Sequence, residues 1–169
     1  MYNQIPCLAY SPQSYHIPNQ GNFYIQIPQF PILGPDLYMK LIHNTYKSIV
    51  DEATAAEFYS RLLKEAPDEL HREFIEHAFK DEVEHLQAFT KLYIHLTGCK
   101  PQYIIEPVQH ACYNEGILMA LKDELEAAAF HRDVILSTTN QLVKDTFFLA
   151  MVDELEHSTQ FGVLYNTLK

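Results

Sequence analysis

The sequence predicts an all-α fold: a four-helix bundle of two duplicated helical hairpins joined by a long crossover, with an extended N-terminal arm. Three observations predict it. Four stretches carry apolar residues at heptad spacing. Glycine is scarce, 5 of 169 residues, while 47% of residues are hydrophobic. A signature also occurs twice. Asp81-Glu82-Val83-Glu84-His85 returns as Asp153-Glu154-Leu155-Glu156-His157, and Asp51-Glu52 returns as Asp123-Glu124 at the same interval.

The arm, residues 1–35, contains no Asp, Glu, Lys or Arg and holds six of the nine prolines. Proline blocks both helix and central strand, so an extended segment is expected. Its apolar residues, among them Phe23, Tyr24, Ile25, Phe30 and Leu33, would pack along the bundle or on a neighbouring subunit.

The bundle is expected over residues 36–169. The first helix should run from about Asp36 to Glu65 on the seam Tyr38, Ile42, Thr45, Ile49, Glu52, Ala56, Tyr59, Leu63. Ala66-Pro67 ends it. The second, about 68–97, carries Ile75, Ala78, Glu82, His85, Phe89, Leu92 and Leu96, and Gly98 is placed to stop it. Residues 99–107 form a connection too long for a tight turn. The third helix, about 108–137, carries Ile117, Leu121, Glu124, Ala128, His131 and Ile135. Ser137-Thr138-Thr139-Asn140 breaks it. The fourth, about 140–168, carries Val143, Phe147, Ala150, Glu154, His157, Phe161, Leu164 and Leu168. Helices of this length run roughly 45 Å. A stretched link of about ten residues spans roughly 33 Å, just enough to return along the bundle. The repeat extends to Phe58 with Phe130, Ala78 with Ala150, Phe89 with Phe161 and Tyr93 with Tyr165, which reads as a duplicated hairpin.

Glu52, Glu82, His85, Glu124, Glu154 and His157 all fall on seam positions. Four buried carboxylates would repel one another unless something compensates. Two divalent cations balance four carboxylates, with the imidazoles binding neutral. Glu-x-x-His spacing puts both side chains on one helix face. This is the ligand set of a dinuclear metal site inside a bundle. Oxygen-rich donors with one imidazole per metal favour two Fe ions, with Mn as the alternative, over structural zinc. Glu57 competes with Glu52 but lies off the seam, and its repeat counterpart is Ala129; it is assigned to the surface with Glu84, Glu126 and Glu156. Asp81 and Asp153 are placed to accept a hydrogen bond from the opposite half's His. Tyr59 and His131, repeat equivalents, are the candidate catalytic residues, lining the oxidant's path or donating protons. His43, His71, His77, His95 and His110 have no symmetry partner and are assigned to the surface or an interface.

A net charge of −10 argues against nucleic acid, which wants a basic stripe. No apolar stretch approaches about 18 residues and no basic segment precedes an apolar run, so neither a membrane span nor a cleaved signal is expected. Cys7, Cys99 and Cys112 form no C-x-x-C pair, which excludes a zinc knuckle or rubredoxin-type iron centre. Three separate thiols in a reducing compartment are expected, a Cys7–Cys99 bond being the alternative.

These residues resemble the ferritin-like superfamily, most closely its rubrerythrin-type domains, over about 36–168. Carried over residue by residue, Glu52, Glu82, His85, Glu124, Glu154 and His157 match that family's metal ligands. The resemblance implies a di-iron or di-manganese oxidoreductase acting on peroxide, oxygen or Fe²⁺, cytoplasmic and homo-oligomeric. A rubredoxin-like tail is missing, so an external electron donor, or Fe²⁺ itself, is expected. The uncharged arm resembles in composition the coat-type proteins of spore-forming bacteria. That makes a non-catalytic, spore-associated metal-binding or structural protein the alternative.

Overall fold

Local chemistry sets most of the helix ends. In the computed structural model, which describes residues 35–168, α1 spans Pro35–Leu62. Proline suits the first helical position because its missing N–H would be unpaired there anyway. A single 3₁₀ turn, Leu63–Glu65, closes α1 before Pro67. Helix α2 spans Glu69–Thr97, with Asp68 accepting the His71 backbone N–H at 3.0 Å. It stops at Gly98, whose φ of 71° is left-handed and whose N–H reaches the Ile94 carbonyl at 2.8 Å. Helix α3 spans Tyr113–Ser137 and α4 spans Gln141–Thr167. The Asn140 side chain caps α4 by accepting the Val143 N–H at 3.2 Å. The described residues form an all-helical bundle. No helix among them is long and apolar enough to cross a membrane.

Helix α1 packs chiefly on α2 and α3 on α4; α2 also meets α4, and α1 and α3 touch only lightly. Two apolar clusters fill the ends. One joins the start of α1 and the end of α2 (Ile42, Ile49, Phe89, Leu96) to the end of α3 and the start of α4 (Val134, Val143, Phe147). The other joins Leu62 and Ile75 to Ile117 and Phe161. So α1 runs antiparallel to α3, while α2 and α3 run the same way, and the link between them travels back along the bundle.

That journey moves one boundary. Helix α3 begins at Tyr113, not near 108. The link over 98–112 stays irregular and is pinned to α1. Tyr46 Oη donates to the Gln102 carbonyl at 2.9 Å, and the Arg61 guanidinium donates to that of Val108. Six extended residues cover roughly 20 Å. Fifteen residues of α1 rise roughly 22 Å, so the link must stay extended to keep pace. Seam assignments also change: in α3 Ala120 and Val134 are buried where Leu121 and Ile135 are only partly so, and Leu168 at the end of α4 is partly buried. Leu62, fully buried, replaces Leu63, which enters the 3₁₀ turn; Tyr38 lies at the rim, its hydroxyl donating to the Leu96 carbonyl. The expectations for the N-terminal arm, and for a bond from Cys7, lie outside the described residues.

Candidate metal centre

Between the two apolar clusters lies a polar layer. Helix α1 brings Glu52, α2 brings Glu82 and His85, α3 brings Glu124, and α4 brings Glu154 and His157. None of the six is more than 7% exposed. They form two groups of four: Glu52, Glu82, His85 and Glu154, and Glu82, Glu124, Glu154 and His157. Within each group the donor atoms lie within 4.8 Å of one another. Glu82 and Glu154 belong to both groups, Glu52 and Glu124 to one each.

The imidazoles are oriented from behind. His85 Nε2 lies 3.0 Å from Asp153 Oδ2, and His157 Nε2 lies 3.0 Å from Asp81 Oδ2. Each Asp therefore serves the His of the other hairpin. With Nε2 held by the Asp, Nδ1 is the ring nitrogen turned inward. His85 Nδ1 lies 3.4 Å from Glu154 and 3.8 Å from Glu52 and Glu82. His157 Nδ1 lies 3.3 Å from Glu154, 3.4 Å from Glu82 and 3.7 Å from Glu124. Neutralising one Asp, as in Asp153→Asn or Asp81→Asn, is expected to weaken metal affinity by about 10–100-fold without changing helicity. Metal titration beside circular dichroism checks this; unchanged affinity would remove the orienting role.

Burial governs protonation. It pushes Glu52 and Glu124 well above the usual carboxylate range, and neighbouring carboxylates push them further. Burial, and for Glu82 the Glu154 charge, push Glu82 and Glu154 the same way, but the carboxyls and the two imidazoles close beside them outweigh it, and they end low. Burial would lower His85 and His157; the surrounding carboxylates outweigh it and raise both. The cluster therefore balances its own charge by holding protons on two acids and two imidazoles.

Glu82 Oε1, Glu154 Oε1 and His85 Nδ1 are buried yet lack hydrogen-bond partners. Leaving such atoms unpaired is costly, and cations between them would satisfy all three. The donor set thus fits a pair of ions.

Tyr59 and His131 flank the layer on opposite sides. The Tyr59 hydroxyl donates to Glu124 Oε1, and His131 Nε2 lies 3.6 Å from Glu52 Oε1. Each reaches across to the other hairpin's Glu that belongs to one group only. Burial, then the Glu124 charge, raises the Tyr59 phenol. Burial pulls His131 down to about 4, so it stays neutral at physiological pH. Both line a cavity of ≈ 390 Å³ with Glu52, Glu82, Glu124 and Glu154. It opens between α1 and α3, which touch only lightly.

Glu57 sits apart, held by Arg61 at 2.8 and 3.1 Å. Three histidines assigned to the surface are not simply there. His71 is 2% exposed, between Tyr113 Oη at 2.8 Å and Thr167 Oγ1 at 2.9 Å. The signal was available, since His71 continues the α2 seam one turn before Ile75. His77 lies 3.3 Å from Asp81 and edge-on to His157, extending that hydrogen-bonded chain outward. Its spacing of four from Asp81 was the clue. His110 has a 7% exposed side chain, 3.1 Å from Glu65; only the returning link puts it there. His43 and His95 are exposed, as assigned.

No family model matches the chain. It is 32% identical over 124 residues to the uncharacterized protein YhjR of Bacillus subtilis (strain 168), an alignment covering 72% of this chain and 83% of that protein. Identity of that level across most of both lengths makes this chain a member of the YhjR family.

Proposed function

We propose that this protein is a dinuclear-metal oxidoreductase on a ferritin-like bundle of duplicated hairpins, of rubrerythrin type, acting on peroxide, oxygen or Fe²⁺. The observation that carries the reading is the convergence of four carboxylates and two imidazoles, with two carboxylates shared between the groups. Two Fe ions suit the donors, with Mn as the alternative. Glu52, Glu82, His85, Glu124, Glu154 and His157 would hold them, with Glu82 and Glu154 common to both donor groups. Bound iron supplies one-electron chemistry between its +2 and +3 states.

The chain's own residues supply the rest. The cavity between α1 and α3 gives a small molecule a way in to the layer, and the apolar clusters above and below close the layer's two ends. Tyr59 holds a proton on its hydroxyl against Glu124, within the cavity wall. His131, neutral, offers a lone pair or an N–H beside Glu52. Electrons would come from a separate donor protein, or from Fe²⁺ when that is the substrate. The setting would be the cytoplasm, or the spore on the alternative reading.

Reconstitution with Fe²⁺, followed by peroxide-consumption and ferrous-oxidation assays, tests the reading. Wild-type protein is expected to turn over, and Tyr59→Phe to turn over about 100-fold more slowly with unchanged metal content. A fully loaded protein inert toward all three substrates would leave the second reading, a non-catalytic spore-coat-type protein. The uncharged, proline-rich arm favours that one.

A further inference from the structure

Helix α4 is apolar on both sides. Its buried stripe (Val143, Phe147, Ala150, Phe161, Leu164) faces the core. Its outer side carries Leu142, Phe148, Leu149, Val152, Leu155 and Val163, each between 43% and 65% exposed. At 3.6 residues per turn these six fall within an arc of about 140°, opposite the buried stripe. The charged residues in that arc are Asp145 and Glu156.

The fold does not demand this. The positions 72 residues earlier, on α2, occupy the same place in the first hairpin. There Phe148, Leu149, Val152 and Val163 correspond to Glu76, His77, Lys80 and Lys91, while Leu142 and Leu155 correspond to the apolar Leu70 and Val83. Glu76 and Lys80 form an exposed ion pair at 2.8 Å. Four of the six positions are polar on α2 and apolar on α4, so the α4 face is the more apolar of the two.

We propose that the outer face of α4 is the contact through which two copies of this chain form a two-fold dimer, α4 packing antiparallel on its mate about Val152. Three arguments select a second copy. First, six half-exposed Leu, Phe and Val side chains leave on the order of 500 Å² of apolar surface, in the upper part of the range found for the largest patch on a monomer, a patch that is often functional. With its polar flanks it approaches the roughly 800 Å² per partner of a stable complex. Second, each chain carries a net charge of −10, so copies repel except where charge is sparse. The α4 face is such a place. Third, the stripe is self-complementary in one sense only. A parallel pairing sets Asp145 against Asp145 and Glu156 against Glu156. An antiparallel pairing about Val152 sets Val152 against itself, Leu149 against Leu155 and Asp145 against Thr159, separates the two Glu156 by about 12 Å along the axis, and lays each Glu156 stem beside the mate's Phe148. A two-fold contact uses one patch twice, which this stripe permits. The inference stands independently of the metal reading.

The test copies α2 onto α4. Phe148→Glu with Val152→Lys should convert a particle of two chains into one of a single chain by light scattering, with helicity and metal content unchanged. Val152→Cys should give a disulfide-linked dimer under mild oxidation far faster than the parent chain. Wild-type protein that is a single chain at micromolar concentration would overturn the proposal. So would a double variant of unchanged mass, or a Val152→Cys chain that fails to cross-link. If wild type is a single chain and deleting residues 1–34 newly exposes the α4 face to a hydrophobic dye, the arm is the occupant and the dimer is wrong.

Discussion

Glu154→Ala is expected to reduce bound metal from two ions per chain to at most one, with any remaining ion held at least about 100-fold more weakly. Glu154 belongs to both donor groups, so its loss opens both coordination shells at once. Removing a residue that merely orients a ligand costs about 10–100-fold, and removing a shared ligand exceeds that. The helices should persist, because Phe89, Phe147 and Phe161 on either side of the layer stay fully buried. Glu82→Ala should behave in the same way. Glu57→Ala is the control: that carboxylate is engaged by Arg61, and its loss should leave both ions bound. Elemental analysis and equilibrium dialysis read the result. Two tightly held ions in Glu154→Ala would mean that the ligands are other residues.

The second large effect is a reversal of pH dependence on metal loading. Stripped protein is expected to lose stability as pH rises from about 5 to 8, and loaded protein to gain it. The folded-state values of Glu52 and Glu124 lie above the ordinary carboxylate value. Above that ordinary value the unfolded chain has released protons that the native state retains, so rising pH favours unfolding, by about 1.4 kcal/mol per pH unit for each retained proton. His85 and His157 act in the same direction. Their contribution is complete below the ordinary imidazole value and drains away as pH climbs toward the raised one. Glu82 and Glu154 act oppositely, but their contribution is lost only as pH falls below the ordinary carboxylate value. Binding two divalent ions displaces protons from two carboxyls and two imidazoliums. Affinity, and with it loaded-state stability, therefore rises with pH. Thermal melts of chelator-stripped and reloaded protein across this range decide the matter. Parallel curves would show that the four groups do not exchange protons for metal.

Much of this architecture was legible in the sequence because the information was local. Helix ends at Pro35, Asp68, Gly98 and Asn140 follow from dihedral freedom and from side chains that reach backbone groups a few residues away. The burial of Glu52, Glu82, His85, Glu124, Glu154 and His157 follows from heptad position, since a residue in register with Ile49, Phe89 or Phe161 turns inward whatever its polarity. His71 was legible by the same rule, but its polarity masked its register.

The rest depended on contacts between distant segments. The start of α3 could not be read from composition, because the conformation of the link is set by Tyr46 and Arg61 of α1, more than forty residues earlier. The partner of the Tyr59 hydroxyl is likewise a consequence of how one hairpin crosses the other. The exposed apolar face of α4 is a tertiary fact too. A helix that is hydrophobic all round reads as buried until the bundle, with four helices already packed, leaves one of its faces uncovered. Periodicity determined which residues turn inward. Only the packing of the helices decided which of them meet, and which outward-facing residues still lack a partner surface.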